Sequence, residues 1–451
     1  MSTFSRLSRR EFLKVTGVAS AGMVLAACIA PGAAPAGDSG SAAQPSAAPT
    51  ELVHWSWLTA SDGEVWQKSI DAFNAANKEK NLQIKMEVMP FEEIGPKVLA
   101  SVAAGQAPDF GWNAGGVQAQ WIKDGVLVAL DDLSTQVGLD LGDFTETSLK
   151  ASRYPKFENK LYMIPMDAMC EAMEINVDHA SEAGLDISKP PTNGEELLTW
   201  AKAMTKLEGD KVVRSGIMMT GSGVQPTVTW GMVSAQMGFQ RASDDLSKAA
   251  INPDAGKAAM QWVLDLFDTH KVSTRDVTDR YKAFGTGEGS MFWTGPWTIN
   301  GYVQQGLNFV SVPFPKIGEQ QITYFELGGL EVYTQKDTGR YATTMSAIKS
   351  LSDDSFLWTT IGRGASTRKS ILARDDYKTA GSDWKVRGAF IDSMEFATIA
   401  PIPVLAAEDF QIYSGGNLLA NTIAAVIAGE KTIDQMMDEL TTKWQEMLDK
   451  G

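Results

Sequence analysis

Residues 283–301 read Ala-Phe-Gly-Thr-Gly-Glu-Gly-Ser-Met-Phe-Trp-Thr-Gly-Pro-Trp-Thr-Ile-Asn-Gly, and this stretch decides the fold. Glycine adopts the left-handed conformation that ends many helices, so we expect a helix to end within residues 285–287. The apolar run at 291–293 predicts a short buried strand. Proline fixes its own backbone and restrains the residue before it, so Gly295-Pro296 ends this strand and places Trp297 on a rigid turn.

Trp297 then has two interpretations. Open α/β folds hold their ligands outside the ends of strands, which is where this turn is expected. Large apolar side chains are also the usual content of hydrophobic cores, so Trp293 and Trp297 suit the core equally well. The stretch alone leaves both interpretations open.

The N-terminal residues predict export from the cytoplasm. Residues 8–14, Ser-Arg-Arg-Glu-Phe-Leu-Lys, precede an apolar run at 15–27. This run is shorter than the roughly 20 residues that a membrane-spanning helix needs, which is typical of a signal peptide. The segment resembles a twin-arginine export signal, in which Arg9 and Arg10 are the arginine pair.

A lipid anchor is expected directly after the signal. Residues 25–28, Leu-Ala-Ala-Cys, resemble a bacterial lipobox, which implies that residues 1–27 are removed and that Cys28 is lipidated. The alternative is an ordinary secretion signal with an incidental cysteine. The rest of segment 28–50 is rich in Ala, Gly, Pro and Ser, so we expect a flexible tether that reaches roughly 25 Å. Either interpretation makes the protein extracytoplasmic, and the lipid would anchor it to the cell membrane.

Charge and cysteine content exclude several classes of protein. The chain of 451 residues carries a formal net charge of -15, and removal of the signal makes this charge more negative. Such an acidic chain is not expected to bind nucleic acid or anionic lipid. Cys170 would be the only cysteine beyond the lipid anchor, so the core must hold the fold without an intrachain disulfide. The length implies two domains.

The hydrophobic pattern indicates an α/β fold. Strands are expected at 52–57 and 82–89, and helices are expected from Ser61 and over 92–104. This alternation predicts a mostly parallel sheet that is covered by helices. Further helix starts are indicated by three pairs with capping or first-turn spacing: Thr192 with Glu195, Asn252 with Pro253, and Thr432 with Gln435. The last two helices are expected at 417–428 and 433–448.

Several segments together resemble the family 1 extracellular solute-binding proteins, the capture subunits of ABC importers, especially those for carbohydrates. The matching segments are 103–109 (Ala-Ala-Gly-Gln-Ala-Pro-Asp), 125–133, 176–202, 283–291 and 295–297 (Gly-Pro-Trp). The chain departs from the usual pattern at Ile175, Asn193 and Ser290, where tyrosine, tryptophan and alanine are more common.

This resemblance implies a two-lobed, type II periplasmic-binding-protein-like fold, in which each lobe is a mostly parallel sheet flanked by helices. The ligand would lie in the cleft between the lobes, and hinge bending would close it. The expected first lobe is 51–168 plus 291–330, and the second lobe is 169–290 plus 331–451. The expected crossovers between the lobes lie near 165–173, 289–293 and 328–332.

The loops and strand ends at this cleft supply the candidate binding residues. Sugar rings pack their flat C–H faces on aromatic rings, and their hydroxyls need carboxylates, amides and arginines. Gly329 is a candidate as well, because Gly328-Gly329 permits a close approach of the backbone to a ligand or to the other lobe. The candidates are Trp57, Asp62, Trp112, Asn113, Asp167, Trp230, Trp293, Trp297, Glu326, Gly329 and Arg368. Five tryptophans on helical stripes are expected in the core instead: Trp66, Trp121, Trp200, Trp262 and Trp444. Asp109 is expected to stabilise its own turn.

The sequence contains little that indicates catalysis. The three histidines are far apart in the sequence, and no zinc, nucleotide or Cys-x-x-Cys motif occurs. We therefore expect no catalytic residue, metal or cofactor. The predicted function is capture of a sugar or oligosaccharide by a monomer and its delivery to the permease subunits of an ABC importer. The alternatives are a secreted glycoside hydrolase, or a binding protein for a polyamine or a glycerol phosphate.

Overall fold

The computed structural model describes residues 50–114, 119–154, 157–243, 247–361, 364–381, 383–399, 410, 412 and 416–450. They belong to one compact unit, Ala48–Gly451. The predictions for Arg9, Arg10 and Cys28, and for all of the tether except Thr50, lie outside the described residues. Within the described residues, no helix has both the length and the apolar character needed to cross a membrane.

Strands are distributed over the whole described part of the chain. In chain order they are β1 Thr50–Ser56, β2 Leu82–Val88, β3 Phe110–Ala114, β4 Arg153–Tyr154, β5 Lys160–Leu161, β6 Ile164–Cys170, β7 Ala172–Asn176, β8 Lys206–Glu208, β9 Lys211–Ile217, β10 Gln240–Ala242, β11 Ala249–Ile251, β12 Gly289–Thr294, β13 Phe309–Pro313, β14 Thr323–Val332, β15 Ala365–Ser366 and β16 Ala397–Ile399.

Helices separate most of these strands. They are α1 Ala60–Ala76, α2 Phe91–Ala104, α3 Ala119–Lys123, α4 Asp131–Gln136, α5 Glu146–Ala151, α6 Val177–Glu182, α7 Gly194–Met204, α8 Val224–Gln236, α9 Pro253–Phe267, α10 Arg280–Gly285, α11 Ile299–Gln304, α12 Tyr341–Asp353, α13 Phe356–Ile361, α14 Lys369–Leu372, α15 Trp384–Asp392, α16 Leu418–Ile427 and α17 Ile433–Lys450. Short 3₁₀ turns occur between them, including Pro296–Thr298.

The first lobe is built on a seven-stranded mixed sheet. Its strand order is β15-β6-β14-β3-β1-β2, and β16 pairs with β14. The strands β1, β2 and β3 run parallel, as the alternation of strands and helices predicts, whereas β14 runs antiparallel to both β3 and β6. One face of this sheet packs around Trp66, Trp112 and Trp358. The other face packs around Trp121 and Tyr333.

The second lobe is built on a five-stranded sheet of order β13-β7-β12-β9-β8. The strand β12 lies between the antiparallel strand β7 and the parallel strand β9. Its side chains alternate, so that Met291 and Trp293 pack in one core cluster and Phe292 packs in another. The helices α8, α9, α16 and α17 contribute to the larger of these two clusters.

Of the three expected crossovers between the lobes, one coincides with a place where the chain passes from one sheet to the other, and two do not. The strand β6 of the first sheet ends at Cys170, and the strand β7 of the second sheet begins at Ala172. This passage lies inside the expected crossover 165–173. The expected crossover at 289–293 is wrong because both neighbours of β12 are strands of the second sheet. The expected crossover at 328–332 is also wrong because these residues pair with β3 inside the first sheet. The chain instead crosses between β13 and β14.

Sheet and core membership also change the expected division into lobes. The strands β12 and β13 pair within the second sheet, so residues 291–313 do not belong with 51–168 as expected. The helices α12 and α13 pack in the first-lobe core through Met345, Ile348 and Trp358, although 331–451 was expected in the second lobe. Sequence patterns predict individual strands well, but which sheet a strand joins depends on contacts that are distant in the chain.

Local helix signals are confirmed at several ends. The helix α10 ends at Gly285, and Gly287 has a φ of 83°, as the glycine-rich segment predicts. Thr432 and Gln435 exchange backbone-to-side-chain hydrogen bonds in a capping box. The predicted pair of Thr192 and Glu195 is wrong by one residue, because Asn193 caps α7 and Glu196 bonds back to Thr192.

Candidate functional site

The first lobe presents three of the predicted residues at the edge of its sheet where the chain crosses to the second lobe. Trp57 follows the end of β1, Asn113 lies near the end of β3, and Glu326 lies near the start of the antiparallel strand β14. The register places Phe325 opposite Cys170, the last residue before the crossover. All three side chains are half-buried, so each keeps surface for a ligand.

The second lobe presents the turn after β12 at its corresponding edge. Thr294 pairs with Ala172, the first residue after the crossover, so Gly295, Pro296 and Trp297 lie beside the junction. Asn300, on the helix after this turn, donates its side-chain amide to the carbonyl of Ile361 in the first lobe at 2.6 Å. The two edges therefore lie close enough for direct contact between the lobes.

Trp297 belongs to a small cluster of polar and aromatic side chains. Its indole N–H donates to the hydroxyl of Tyr281 at 3.1 Å, and Arg280 Nη2 donates to the same hydroxyl at 2.7 Å. The Arg280 guanidinium carbon lies 4.7 Å from the centroid of the Tyr281 ring. Trp297 is half-buried and Tyr281 is exposed, so this edge offers aromatic surface next to a guanidinium that lies over the Tyr281 ring.

A small pocket with about 10 Å³ of free volume lies beside this cluster. Glu171 from the crossover, Arg280 from α10, and Trp293 and Thr294 from β12 line it together with the first turn of α8. Glu171 is buried and carries the only carboxylate among the described residues of the lining. The indole N–H of Trp293 is occupied by a hydrogen bond to Thr229 Oγ1 at 2.6 Å, so this tryptophan offers the pocket an apolar surface only.

Glu174 supports the turn that carries Trp297. Its side chain is fully buried in β7, and Oε1 accepts a hydrogen bond from Thr298 Oγ1 at 2.7 Å. The second carboxyl oxygen is buried without a hydrogen-bond partner. Burial raises the pKa of Glu174 to about 8, and nearby Glu171 raises it as well, while the bond from Thr298 lowers it. Glu174 is therefore protonated at neutral pH.

Asn113 has a comparable support in the first lobe. Its amide group donates a hydrogen bond to Oε1 of Glu331. Burial raises the pKa of Glu331 to about 8, opposed by the bond from Asn113. Because Nδ2 of Asn113 is directed towards Glu331, its carbonyl oxygen is the atom left for other partners.

Several predicted site residues lie in the core instead. Trp112 is 2% exposed and packs edge-on against Trp66 and Trp358, with ring centroids 4.7 and 5.0 Å away. Asp167 is fully buried and accepts a hydrogen bond from Trp358 at 2.8 Å. The prediction that Trp112 and Asp167 contact a ligand is therefore wrong, because the alternation of β3 and β6 directs both side chains into the helix-covered face.

Trp230, Arg368 and Gly329 also have structural roles. Trp230 is 2% exposed and donates to the carbonyl of Gly256 at 2.9 Å. Arg368 is 7% exposed and forms ion pairs with Asp143 at 2.8 Å and Asp353 at 2.7 Å. A Cβ at Gly329 would lie 2.6 Å from the carbonyl oxygen of Ile164, so its close approach is to the neighbouring strand and not to a ligand. These three predictions are wrong for the same reason: sequence spacing does not reveal long-range partners.

The structure also shows the surroundings of Asp62, Asp109 and Cys170. Asp62 is half-buried in the first turn of α1. Asp109 receives two hydrogen bonds from Arg340 and one from the backbone of Val53, so it has a structural role, but it joins β1 to the segment before α12 and was expected to stabilise its own turn. Cys170 is buried, and burial raises the pKa of its thiol, so it does not have the properties of a nucleophile. Among the described residues, no group of three or more metal-ligating side chains occurs.

Sequence reasoning missed Glu171, Arg280 and Tyr281. Glu171 is one of three carboxylates in the otherwise apolar run from β6 to β7, with Asp167 and Glu174, so the sequence did not distinguish it. Arg280 and Tyr281 directly precede the glycine-rich stretch, but an arginine and a tyrosine on a short helix are common on any surface. Only the contact with Trp297 distinguishes them.

Comparison with known proteins identifies relatives of the whole architecture. A family model described as "Bacterial extracellular solute-binding protein" matches residues 68–382. A search of curated proteins finds no match. Many solved structures share the fold.

Three of these structures illustrate the range of ligands. An ABC substrate-binding protein from Listeria monocytogenes in complex with cycloalternan has a TM-score of 0.74 and 17% identity, over 89% of this chain and 99% of that chain. A maltose/maltodextrin-binding domain from Bdellovibrio bacteriovorus bound to maltotriose has a TM-score of 0.73 and 18% identity, over 89% and 100%. UgpB from Mycobacterium tuberculosis in complex with glycerophosphocholine has a TM-score of 0.75 and 16% identity, over 89% and 98%. These similarities confirm the predicted two-lobed fold.

Proposed function

Because the chain belongs to the family of bacterial extracellular solute-binding proteins, we propose that it captures a sugar or oligosaccharide in the cleft between its lobes. The observation that carries this proposal is the cluster of Trp297, Tyr281 and Arg280 beside the crossover. Sugars present apolar ring faces and hydroxyl groups together, and this cluster offers aromatic faces and charged hydrogen-bond donors together.

The first lobe would complete the site from the other side. Trp57 supplies a second aromatic surface, and Asn113 and Glu326 supply acceptors for hydroxyl groups. Closure of the lobes would enclose the ligand between Trp57 and Trp297, and the closed form would be recognised by the permease of an ABC importer. Lipidation at Cys28 would keep a monomeric receptor close to that permease.

The described residues favour a neutral ligand over a phosphate or a polyamine. A phosphate site needs clustered cations, and Arg280 is the one cation among the described residues that line the pocket beside Trp297. A polyamine site needs several carboxylates, and in the described part of the chain Glu171 alone contributes a carboxylate to this pocket. UgpB shows that a related architecture accommodates a glycerophosphodiester, so this class belongs in the test.

The test is thermal unfolding of the purified protein with mono- and oligosaccharides, polyamines and glycerophosphodiesters. A ligand at 100 times its dissociation constant adds about 2.7 kcal/mol to the free energy of unfolding, which gives a clear rise in melting temperature. We expect a sugar to raise it, to change tryptophan fluorescence and to be recovered intact. Cleavage of the sugar would support a glycoside hydrolase instead. A response to a polyamine or phosphate alone would overturn the sugar assignment.

A further inference from the structure

A second cavity lies inside the second lobe, and none of its lining residues belongs to the candidate ligand site. Its free volume is about 20 Å³, room for one water molecule or one small ion, and its wall combines α8, β10, α16 and α17. The wall is largely apolar, with rings from Trp230, Phe239 and Trp444. Among the described residues that line it, Arg241 alone is charged.

Arg241 is a buried cation with unused hydrogen-bonding capacity. Its side chain is 7% exposed, and Nη1 donates to the carbonyl of Phe410 at 3.1 Å. Nη2 is buried and has no hydrogen-bond partner. Burial lowers the pKa of Arg241, and interaction with Tyr324 raises it, but a guanidinium stays charged at any physiological pH.

Trp444 contributes a second unused donor to the same cavity. Its indole Nε1 is buried and without a hydrogen-bond partner. The guanidinium carbon of Arg241 lies 5.8 Å from the centroid of the Trp444 ring. Two buried N–H donors therefore line one cavity, and leaving such donors unsatisfied destabilises a folded protein.

The positive charge of Arg241 has no counterpart in the described part of the chain. No carboxylate of the described residues forms an ion pair with it, whereas Arg214 and Arg368, two other buried arginines, each have such a pair. A buried charge is stable only when it is paired and hydrogen-bonded.

We propose that this cavity binds a small monovalent anion such as chloride, held by the guanidinium of Arg241 and the indole N–H of Trp444. An anion of this kind neutralises the buried charge and accepts hydrogen bonds from both donors. The apolar wall disfavours a divalent anion, which would bring an uncompensated negative charge into the lobe. The bound ion would connect β10 with the C-terminal helix α17 and stabilise the second lobe, independently of the sugar site.

The experiment is thermal unfolding of the purified protein in chloride, bromide and iodide at constant ionic strength, with gluconate as the replacement anion. We expect the melting temperature to rise with halide concentration in the unmodified protein. Arg241→Met should abolish this rise, and Trp444→Phe should weaken it because the ring remains while the N–H is lost. Arg387→Met is the matched control: Arg387 is also buried, but it donates to the carbonyls of Tyr377 and Ala380, so its loss should leave the halide response unchanged.

Two outcomes would overturn the proposal. The first is an identical melting temperature in halide and gluconate for the unmodified protein. The second is a halide response that both Arg241→Met and Trp444→Phe keep in full, because the ion would then bind elsewhere. If Arg241→Met does not fold, Trp444→Phe and the anomalous scattering of iodide in a crystal decide the question, because the ion must lie between these two side chains.

Discussion

Thr298 donates its hydroxyl to a carboxyl oxygen of Glu174 at 2.7 Å, directly beneath the turn that carries Trp297. The carboxyl group is fully buried, and its second oxygen has no hydrogen-bond partner. A strand of the second sheet thereby fixes the position of a residue at the cleft. This link connects the protonation of a buried group to the proposed binding surface.

The raised pKa of Glu174 predicts a loss of stability as the pH rises. Burial raises this pKa from 4.5 to about 8, so between these values the folded state keeps a proton that the unfolded state has released. The unfolded state then binds fewer protons, and the free energy of unfolding falls with pH by up to about 1.4 kcal/mol per unit for one such group. Glu174→Gln keeps an acceptor for Thr298 and removes the titration.

Urea unfolding between pH 5 and pH 8 measures this effect. We expect Glu174→Gln to give a shallower decline than the unmodified protein, and the residual decline to reflect Glu331, whose pKa is also about 8. Glu331→Gln should remove that second contribution. Equal slopes in the unmodified protein and in Glu174→Gln would show that Glu174 does not hold its proton over this range.

Truncation of Trp297 should lower the affinity for the ligand, whereas truncation of Trp112 should lower the free energy of unfolding. Trp297 is half-buried, so Trp297→Ala is expected to weaken sugar binding at least tenfold while the melting temperature changes little. Trp112 is enclosed by Trp66 and Trp358, so Trp112→Ala should lower the free energy of unfolding by about 3–5 kcal/mol. Calorimetric titration and urea unfolding of both variants test this. Unchanged affinity in Trp297→Ala would remove this residue from the site.

The sequence predicted the class of the fold, the helix ends near glycine and the identity of the family. These features depend on local spacing, and residues 285–297 illustrate this well: the helix end, the strand and the turn all lie where expected. The sequence did not predict which sheet β12 joins. That depends on its pairing with β7 and β9, and even β9, the nearer of the two in the chain, ends more than 60 residues before β12 begins.

For single residues of the site, too, the sequence does not reveal contacts with residues that are distant in the chain. Trp57, Asn113, Glu326 and Trp297 lie near strand ends beside the crossover, and their contact with a ligand stays a prediction. Arg368 was an equally plausible candidate from sequence, but Asp143 and Asp353, which are remote in the chain, surround it. An unpaired arginine and a paired arginine have the same appearance in a sequence.

Arg368 therefore offers a test of a structural role. Removal of one partner from a buried ion pair leaves the other charge uncompensated, so Arg368→Met should lower the free energy of unfolding by about 3–5 kcal/mol. Ligand affinity of the folded protein should not change. Lys443→Met is the control, because the pair of Lys443 with Glu446 is exposed and screened by solvent, so its loss should leave the free energy of unfolding nearly unchanged. If the Arg368→Met protein is fully folded and still binds the ligand more weakly, Arg368 takes part in binding.

Gly295 should be required for the position of the Trp297 ring. A Cβ at this position would lie 1.9 Å from the nearest ring atom of Trp297, so the ring must move away in Gly295→Ala. We expect weaker sugar binding and an altered tryptophan emission spectrum, because the hydrogen bond to Tyr281 would be lost. Gly301→Ala is the matched control, since an added Cβ there has no heavy atom within 4 Å. The two variants differ by one methyl group from the same protein, so a lower affinity in Gly295→Ala alone would assign the effect to the orientation of Trp297, and equal affinities would show that binding does not depend on it.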